Sequence, residues 1–506
     1  MSGIQKFRKL FDPIDLTKGK IVKVLVAFLV PIVLSMLFQQ LYTLSDSIIC
    51  GQFLNDKEVS GIVDSATLVF IVLDFAIGCT NGFSVIISDK IGAKDHKMVK
   101  KSFFTQVVLC LIIASLLTLV GILSIDPLLA SLHIEPSATD PLKQGIYESA
   151  KTYLFIIYLG TIPLMFYNQI VSVLRALGDS FTPFLFLVFS TILNICLDLL
   201  FIVVFHLGVA GTAWATVISQ GLAAIGCFTY ALIRYETLRI KKEDTKVTFS
   251  FVFKHLRLGV PLGFQFSILS VGIILMQAAV ISFDIDPSGS YIASIPAQMG
   301  YGAAGRVLSF LMTPLIALGS GILTFTGQNY GAKNYSRIIS GFKTALGIGL
   351  VLYIFLMTVG LLLTINGFYQ HIFLSSDKIS EASILYGNTY LYVSMPFFGF
   401  LMALFVSRNA MQGLEKPLWP FIAGVAELIA RSTICIFLPV LVNKGPTNSE
   451  SGILPYIMVC LADPVAWIIA CALMLVPFIL TIKKEKKLEM SLLSKDKNNE
   501  ILANKN

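Results

Sequence analysis

Charge is what this sequence has least of. Only 13% of its 506 residues are Asp, Glu, Lys or Arg, against roughly 25% in a soluble domain. Hydrophobic residues make up 56%, and the mean hydropathy is +0.80. Long unbroken apolar runs accompany this scarcity. A soluble enzyme, a coiled coil and a disordered linker are excluded, and lipid is the expected solvent. Cysteine is sparse too. The eight cysteines (Cys50, Cys79, Cys110, Cys196, Cys227, Cys435, Cys460, Cys471) sit in apolar stretches with no CxxC pair. Neither a zinc centre nor a disulfide frame is expected, and they read as small packing residues. No GxxxxGKS, HExxH or GxSxG occurs, which removes a nucleotide motor and two hydrolase signatures. The start, MSGIQKFRKLFDPIDLTKGK, lacks an apolar core and a cleavage site, so no secretory signal is expected. Its Ile4, Phe7, Leu10, Phe11 and Ile14 suit a short basic amphipathic helix on a membrane surface, with a frayed tail as the alternative.

What is there is a series of apolar runs. Twelve spans are expected, the first near 21–50, the fourth near 150–174, the fifth near 184–205 and the last near 453–480. Lys and Arg crowd into alternate connections: the start (Lys6, Arg8, Lys9), then Lys90 to Lys101, Arg234 to Arg257, Lys333 to Lys343, and the tail from Lys483. The intervening connections hold Lys57, Lys143, Lys378 and Lys444. This alternation fits an even span number with both termini in the cytoplasm. His133, His206 and His371 then fall on the outer side, as surface histidines.

The chain also repeats. Gly82 precedes Gly92-Ala93-Lys94, and at the same spacing Gly321 precedes Gly331-Ala332-Lys333. RALGDSFTP (Arg175 to Pro183) is echoed by NAMQGLEKP (Asn409 to Pro417). Six spans per repeat keep both halves in one orientation, the parallel type of transporter repeat. The expected fold class is an all-α integral membrane protein. Its twelve transmembrane helices form two six-helix lobes about a pseudo-two-fold axis along the membrane normal. The lobes take residues 1–233 and 252–482, joined by a cytoplasmic linker at 234–251 and followed by a basic cytoplasmic tail at 483–506.

An ionisable side chain inside an apolar span marks a functional site by default. Asp46 shares one helical face of the first span with Tyr42 and Gln39. Thr191, Asn194 and Asp198 repeat this pattern in the fifth span, Thr212, Thr216 and Ser219 in the sixth, and Asn168, Ser172 and Arg175 in the fourth. Four polar stripes in one half suggest a shared hydrophilic pocket. Its carboxylate, amide and hydroxyl oxygens suit Na⁺, and a carboxylate in low dielectric also holds H⁺. The competing readings are interfacial hydration for Asp46 and a structural interhelical hydrogen bond for Asp198. In the other half, Glu427 and Arg431 stand one turn apart as a ready ion pair. Arg306 and Arg408 would snorkel or line a cavity. Asp64 is expected at the interface, and Asp74 has no account. Pro31 removes one backbone bond from the first span and can hinge it.

QQLYTLSDSIICG (Gln39 to Gly51), the paired Gly-Ala-Lys loops, Arg175 to Asp179 with Pro183, Asn194 to Asp198, Gly208 to Gly211 and Ala215-Thr216 together resemble the multidrug and toxic compound extrusion (MATE) family. The resemblance implies a cation site of Asp46, Asn194, Asp198 and Thr216, with the first helix bending near Pro31. Some members use acidic residues in the seventh and tenth spans. Here those spans offer Gln265, Gln277, Arg408, Asn409 and Gln412, so a second cation site of that kind is not expected. Glu427 reads as the clear intramembrane carboxylate of that half.

The function expected is antiport: H⁺ or Na⁺ enters while amphipathic, often cationic drugs or toxins leave. Gln39, Tyr42, Asn168, Glu427 and Arg431 are candidates to line the substrate cavity. No enzyme activity, cofactor or nucleic-acid partner is expected, and the chain is expected to work as a monomer in the cytoplasmic membrane. The alternatives are a lipid-linked oligosaccharide flippase, for which Arg306 and Arg408 are too few cations, and an intramembrane enzyme using Asp46 with Asp198 as an acid pair.

Overall fold

The computed structural model describes residues 12–132, 134–136, 140–292, 294–374 and 379–503. The expected amphipathic helix at the start and His133 therefore lie outside the described residues. Among those residues the chain is helical, with one isolated bridge, Ile285 to Tyr291, and no strand. In the first half run α1 (Ile21–Phe53), α2 (Asp56–Gly92), α3 (His96–Leu123), the short α4 (Ile125–Ser131), α5 (Pro141–Leu159), α6 (Thr161–Ala176), α7 (Phe181–Asp198) and α8 (Gly208–Arg234). In the second run α9 (Phe249–Ile281), α10 (Pro296–Gly331), α11 (Tyr335–Thr364), the short α12 (Gln370–Phe373), α13 (Glu381–Ser394), α14 (Phe398–Gly413), α15 (Leu418–Asn443), α16 (Ile453–Cys460) and α17 (Ala462–Ala503).

Eleven stretches are long and apolar enough to cross a bilayer. The pair α5–α6, bent by 47° at Gly160, makes the twelfth. The bend has a local cause. Pro163 has no N–H to donate to the carbonyl of Leu159. Beside the bend, the Thr118 hydroxyl donates to the Tyr158 carbonyl at 2.8 Å. Large apolar side chains such as Ile225, Ile233, Val351, Phe355 and Leu362 stand well exposed along the spans, as lipid-facing positions do.

The described residues form two compact units. The first takes the chain up to Ile14, then Phe28–Ile87 and His96–Ile274; the second takes Asp15–Ala27, Ser88–Asp95 and everything from Leu275. Lipid gives little apolar drive for helices to associate, so close packing must hold them together, and small residues permit it. In the first unit, Gly78 and Gly82 of α2 meet Gly263 and Gly259 of α9, antiparallel. A Cβ on Gly82 would stand 2.6 Å from the Gly259 Cα, and one on Gly78 2.7 Å from the Gly263 Cα. Higher on the same face, the Ser267 hydroxyl donates to the Ile71 carbonyl at 2.9 Å, and Ser270 donates to Asp74. Asp74 thus acquires a role as an interhelical acceptor, while Asp64 is exposed.

In the second unit the two Gly-Ala-Lys loops interlock. A side chain on Gly92 would overlap the Gln328 carbonyl, and one on Gly331 would overlap the Asp89 carbonyl. These contacts exchange equivalent positions of the repeat, which is the geometry of a local two-fold axis. Lys94 and Lys333, closing the two loops, share the left-handed conformation at φ 58° and 55°. Arg337 at the start of α11 then donates to the carbonyls of Leu16, Lys18 and Gly19 at 3.1, 2.7 and 2.8 Å, anchoring the segment that leads into α1.

Gly92→Ala should therefore cost at least about 3 kcal/mol through overpacking. Gly347→Ala on α11, where a Cβ meets nothing within 4 Å, should gain about 0.5–1 kcal/mol from helix propensity. Thermal unfolding of the detergent-purified protein checks the pair; equal stability of the two variants would refute the interlock.

Candidate functional site

Three helices of the first unit bring their polar faces together. α1 contributes Tyr42, Asp46 and Cys50, spaced four residues apart on one face. α7 contributes Asn194 and Asp198 one turn apart, both with no exposed surface. α8 contributes Thr212 and Thr216. The Tyr42 hydroxyl donates to Thr216 Oγ1 at 3.0 Å, the Thr212 hydroxyl donates to Asp198 Oδ1 at 3.4 Å, and Cys50 Sγ lies 3.2 Å from Thr212 Oγ1. The Asp46 and Asp198 carboxyl groups lie within electrostatic reach of each other, and the Tyr153 hydroxyl of α5 within reach of both. Asp198 is the last α-helical residue of its span: a wider π-helical turn, Leu199–Val204, follows at once. Such turns recur where a helix is locally reshaped for a site.

Buried polar atoms are nearly always paired, and this cage breaks the rule. Asp46 Oδ1, Asp198 Oδ2 and both amide atoms of Asn194 are buried without a hydrogen-bond partner. Among the described residues no lysine or arginine forms an ion pair with either carboxylate. The arrangement is a compact set of oxygen donors carrying negative charge at membrane depth, which can take up a small cation.

Sequence periodicity anticipates Tyr42, Asp46, Asn194, Asp198 and Thr216, and the structure brings them together. Gln39 is exposed, and no hydrogen bond joins its side chain to the cage. The fourth-span stripe does not join either. Asn168 turns back to its own helix at the Leu164 carbonyl (2.9 Å), Ser172 donates to Asn81 Oδ1 at 3.0 Å, and Arg175 is half-buried near Tyr167. A shared helical face fixes direction but not what it meets, so four stripes reduce to three. Cys50 was readable only as packing by residue type; its i+4 position after Asp46 was the available signal.

The second unit handles charge differently. Glu427 accepts from Arg408 Nη2 at 2.7 Å and from Arg431 Nη2 at 3.2 Å. Arg431 Nε also donates to Asp463 Oδ1 at 2.8 Å, and Tyr390 donates to Asp463 Oδ2 at 2.8 Å. The i, i+4 pair is thus half of a buried quartet. Two expectations need correction. Glu427 is not the only membrane-depth carboxylate of this half, because Asp463, one residue into α17, is buried as well. Arg408 does not snorkel, because Glu427 holds it inside at 3% exposure. Arg306 lies over the Phe373 ring at 5.8 Å.

Comparison with known proteins follows this geometry. The family model described as MatE matches residues 31–200 and 298–436, more than half of the chain. The chain belongs to the MATE family. It is 33% identical over 328 residues to "Probable multidrug resistance protein YpnP" of Bacillus subtilis, covering 64% of this chain and 68% of that one. It is 26% identical over 410 residues to "Probable multidrug resistance protein NorM" of Thermotoga maritima, covering 79% and 82%. A solved structure of "a multidrug resistance MATE family transporter of the MOP superfamily" in an outward-facing conformation shares the fold. Its TM-score is 0.79 over 94% of this chain and 99% of that one, at 19% identity. As a member of this family the chain is a multi-pass membrane transporter rather than an enzyme.

Asn194 offers a stability test of the cage. Its amide holds no protein partner, so Asn194→Leu breaks no hydrogen bond and should leave stability within about 1 kcal/mol of the parent. Thermal unfolding that drops by much more would make Asn194 a structural residue.

Proposed function

We propose that this MATE transporter exports amphipathic, often cationic compounds in exchange for H⁺ or Na⁺, which binds at Asp46 and Asp198 with Asn194 and Thr216. One observation carries the reading: two carboxyl groups within electrostatic reach of each other inside the spans, each with an oxygen lacking any partner and, among the described residues, neither with a basic residue to neutralise it. Mutual repulsion makes a small cation the natural ligand. The relatives named as multidrug resistance proteins support drugs as the cargo, and the negative charge of the cage favours cationic ones. In the outward-open state the ion enters, neutralises the cage and weakens its hold on a cationic drug. The drug leaves, the lobes rock, and the ion is released inside. Exchange requires only that ion and drug prefer different states.

α1 is the natural transmitter, because it carries both Asp46 and Pro31. Pro31 cannot donate to the Ala27 carbonyl, and the chain passes from the second compact unit to the first between Ala27 and Phe28. The Ser35 hydroxyl donates to the Pro31 carbonyl at 2.7 Å, a further local loosening of the ladder. Bending there would move Asp46 against Asp198. The same reading puts the protein in the plasma membrane as a monomer, with cytoplasmic termini and no cofactor beyond the coupling ion.

The test is ethidium efflux from proteoliposomes under an imposed pH or Na⁺ gradient. Asp46→Asn and Asp198→Asn should each lower gradient-driven efflux by about tenfold or more, and Asn194→Leu should lower it while remaining folded. Efflux at the parent rate in both aspartate variants would end the proposal. Pro31→Ala should slow efflux while leaving ion-dependent ethidium binding in place; unchanged turnover would remove the hinge.

A further inference from the structure

The second unit has its own buried cluster of carboxyl groups, the quartet of Glu427, Asp463, Arg408 and Arg431. Spans five and six of the first half supply Asp198 with Thr212 and Thr216. Spans eleven and twelve of the second half supply Glu427 and Asp463. Each half thus places carboxyl groups inside its spans, Asp46 and Asp198 in the first and Glu427 and Asp463 in the second. The difference lies in what neutralises them. In the second unit, both oxygens of Glu427 and both of Asp463 are engaged: Glu427 by Arg408 and Arg431, Asp463 by Arg431 and the Tyr390 hydroxyl. Two guanidinium groups balance two carboxylates, and all four residues are nearly fully buried, at 3 to 7% exposure. Arg431 reaches both carboxylates at once, with Nη2 on one and Nε on the other.

We infer that Arg431, backed by Arg408, is a tethered cation that permanently fills the carboxylate pair of the second unit, so that this lobe exchanges no coupling ion. An arginine cannot leave, and its guanidinium stays charged over any physiological pH. A carboxylate whose oxygens are held by such donors gains nothing from a diffusing cation. Arg431 is a positioning residue here, setting the charge state of Glu427 and Asp463. The other titratable groups around the quartet are the hydroxyls of Tyr301, Tyr390 and Tyr456 and the thiols of Cys435 and Cys460. None of these ordinarily changes charge between pH 5.5 and 7.5. The leftover donors, Arg408 Nε and Arg431 Nη1, could attract an anion but not a cation.

The inference does not depend on the Asp46–Asp198 reading, because its readout lies in the second unit. Trp467 stands one turn after Asp463 on α17, buried at 2% exposure against Phe398. In the full-length protein with Trp214→Phe and Trp419→Phe, Trp467 is the sole tryptophan. Its emission is followed in proteoliposomes against pH from 5.5 to 7.5, NaCl, and sodium gluconate in place of chloride. The parent should show no shift on any arm. Arg431→Gln leaves the quartet with net negative charge, and Trp467 should then titrate with H⁺ or Na⁺ in a single saturable transition. Arg431→Lys should stay flat, as should the charge-balanced Glu427→Gln/Arg431→Gln. A parent signal that shifts with H⁺ or Na⁺ overturns the inference, and so does a chloride-dependent shift, which would make the quartet an anion site. A flat Arg431→Gln signal in folded protein also overturns it. Should Arg431→Gln fail to fold, the parent titration still decides.

Discussion

A charge at membrane depth has no water to screen it, and everything distinctive about this molecule is an answer to that constraint. Two unit charges about 4 Å apart interact by about 4 kcal/mol at an effective dielectric near 20. Moving a two-state equilibrium from 1:99 to 99:1 takes about 5.5 kcal/mol of differential binding. Relieving one carboxylate–carboxylate repulsion therefore supplies most of what a conformational switch needs. On the proposed reading, the small cage of Asp46 and Asp198 would command an energy on the scale of the whole transition. On that reading, a resident basic residue would relieve the repulsion permanently and leave nothing for an ion to change, and among the described residues none pairs with it.

The rest of the fold serves to hold that cage in register. Helices that gain little from apolar burial must be locked by shape, and the glycine crossings do this at two levels. Gly78 and Gly82 seat α2 on Gly263 and Gly259 of α9. Gly92 and Gly331 each approach the carbonyl of a repeat-related partner, so the two halves of the sequence meet through equivalent atoms. The segment entering α1 is fastened by Arg337. α1 is thus fixed at its start, loosened at Pro31 and charged at Asp46. A helix held at one end and interrupted once can convert a local change of charge into a change of direction, which a uniformly packed helix cannot.

Much of this was legible in the sequence, and the reasons differ by feature. Spans are legible because a run of about twenty apolar residues suits the thickness of a bilayer and little else, and the alternation of Lys and Arg checks their count independently. The bend at Gly160 needed the structure, since Pro163 could as well have begun a new helix. The cage was legible because polar residues spaced by a helical turn in lipid must share a face. What faces them was not: Gln39, Asn168 and Ser172 obey the same periodicity as Tyr42 and Asn194 and go elsewhere. Asp463 was passed over for a related reason. It stands alone, in a helix whose polar partners, Arg431 and Tyr390, come from other spans, and no local pattern announces a three-helix cluster. The Gly92–Gln328 and Gly331–Asp89 approaches were visible only as a repeated Gly-Ala-Lys, without their contacts.

The two units together show how a duplicated fold can divide labour by changing one kind of residue. Both carry carboxylates inside their spans, Asp46 and Asp198 in one and Glu427 and Asp463 in the other. One surrounds them with hydroxyls, a thiol and an amide, groups that lend oxygen or sulfur but no charge. The other surrounds them with guanidinium groups. Breaking a buried ion pair by removing one partner costs about 3–5 kcal/mol, so the arginine-filled quartet resists reorganisation and favours one packing of α13, α14, α15 and α17. The cage, with no basic residue among the described residues paired to its carboxylates, has no such anchor.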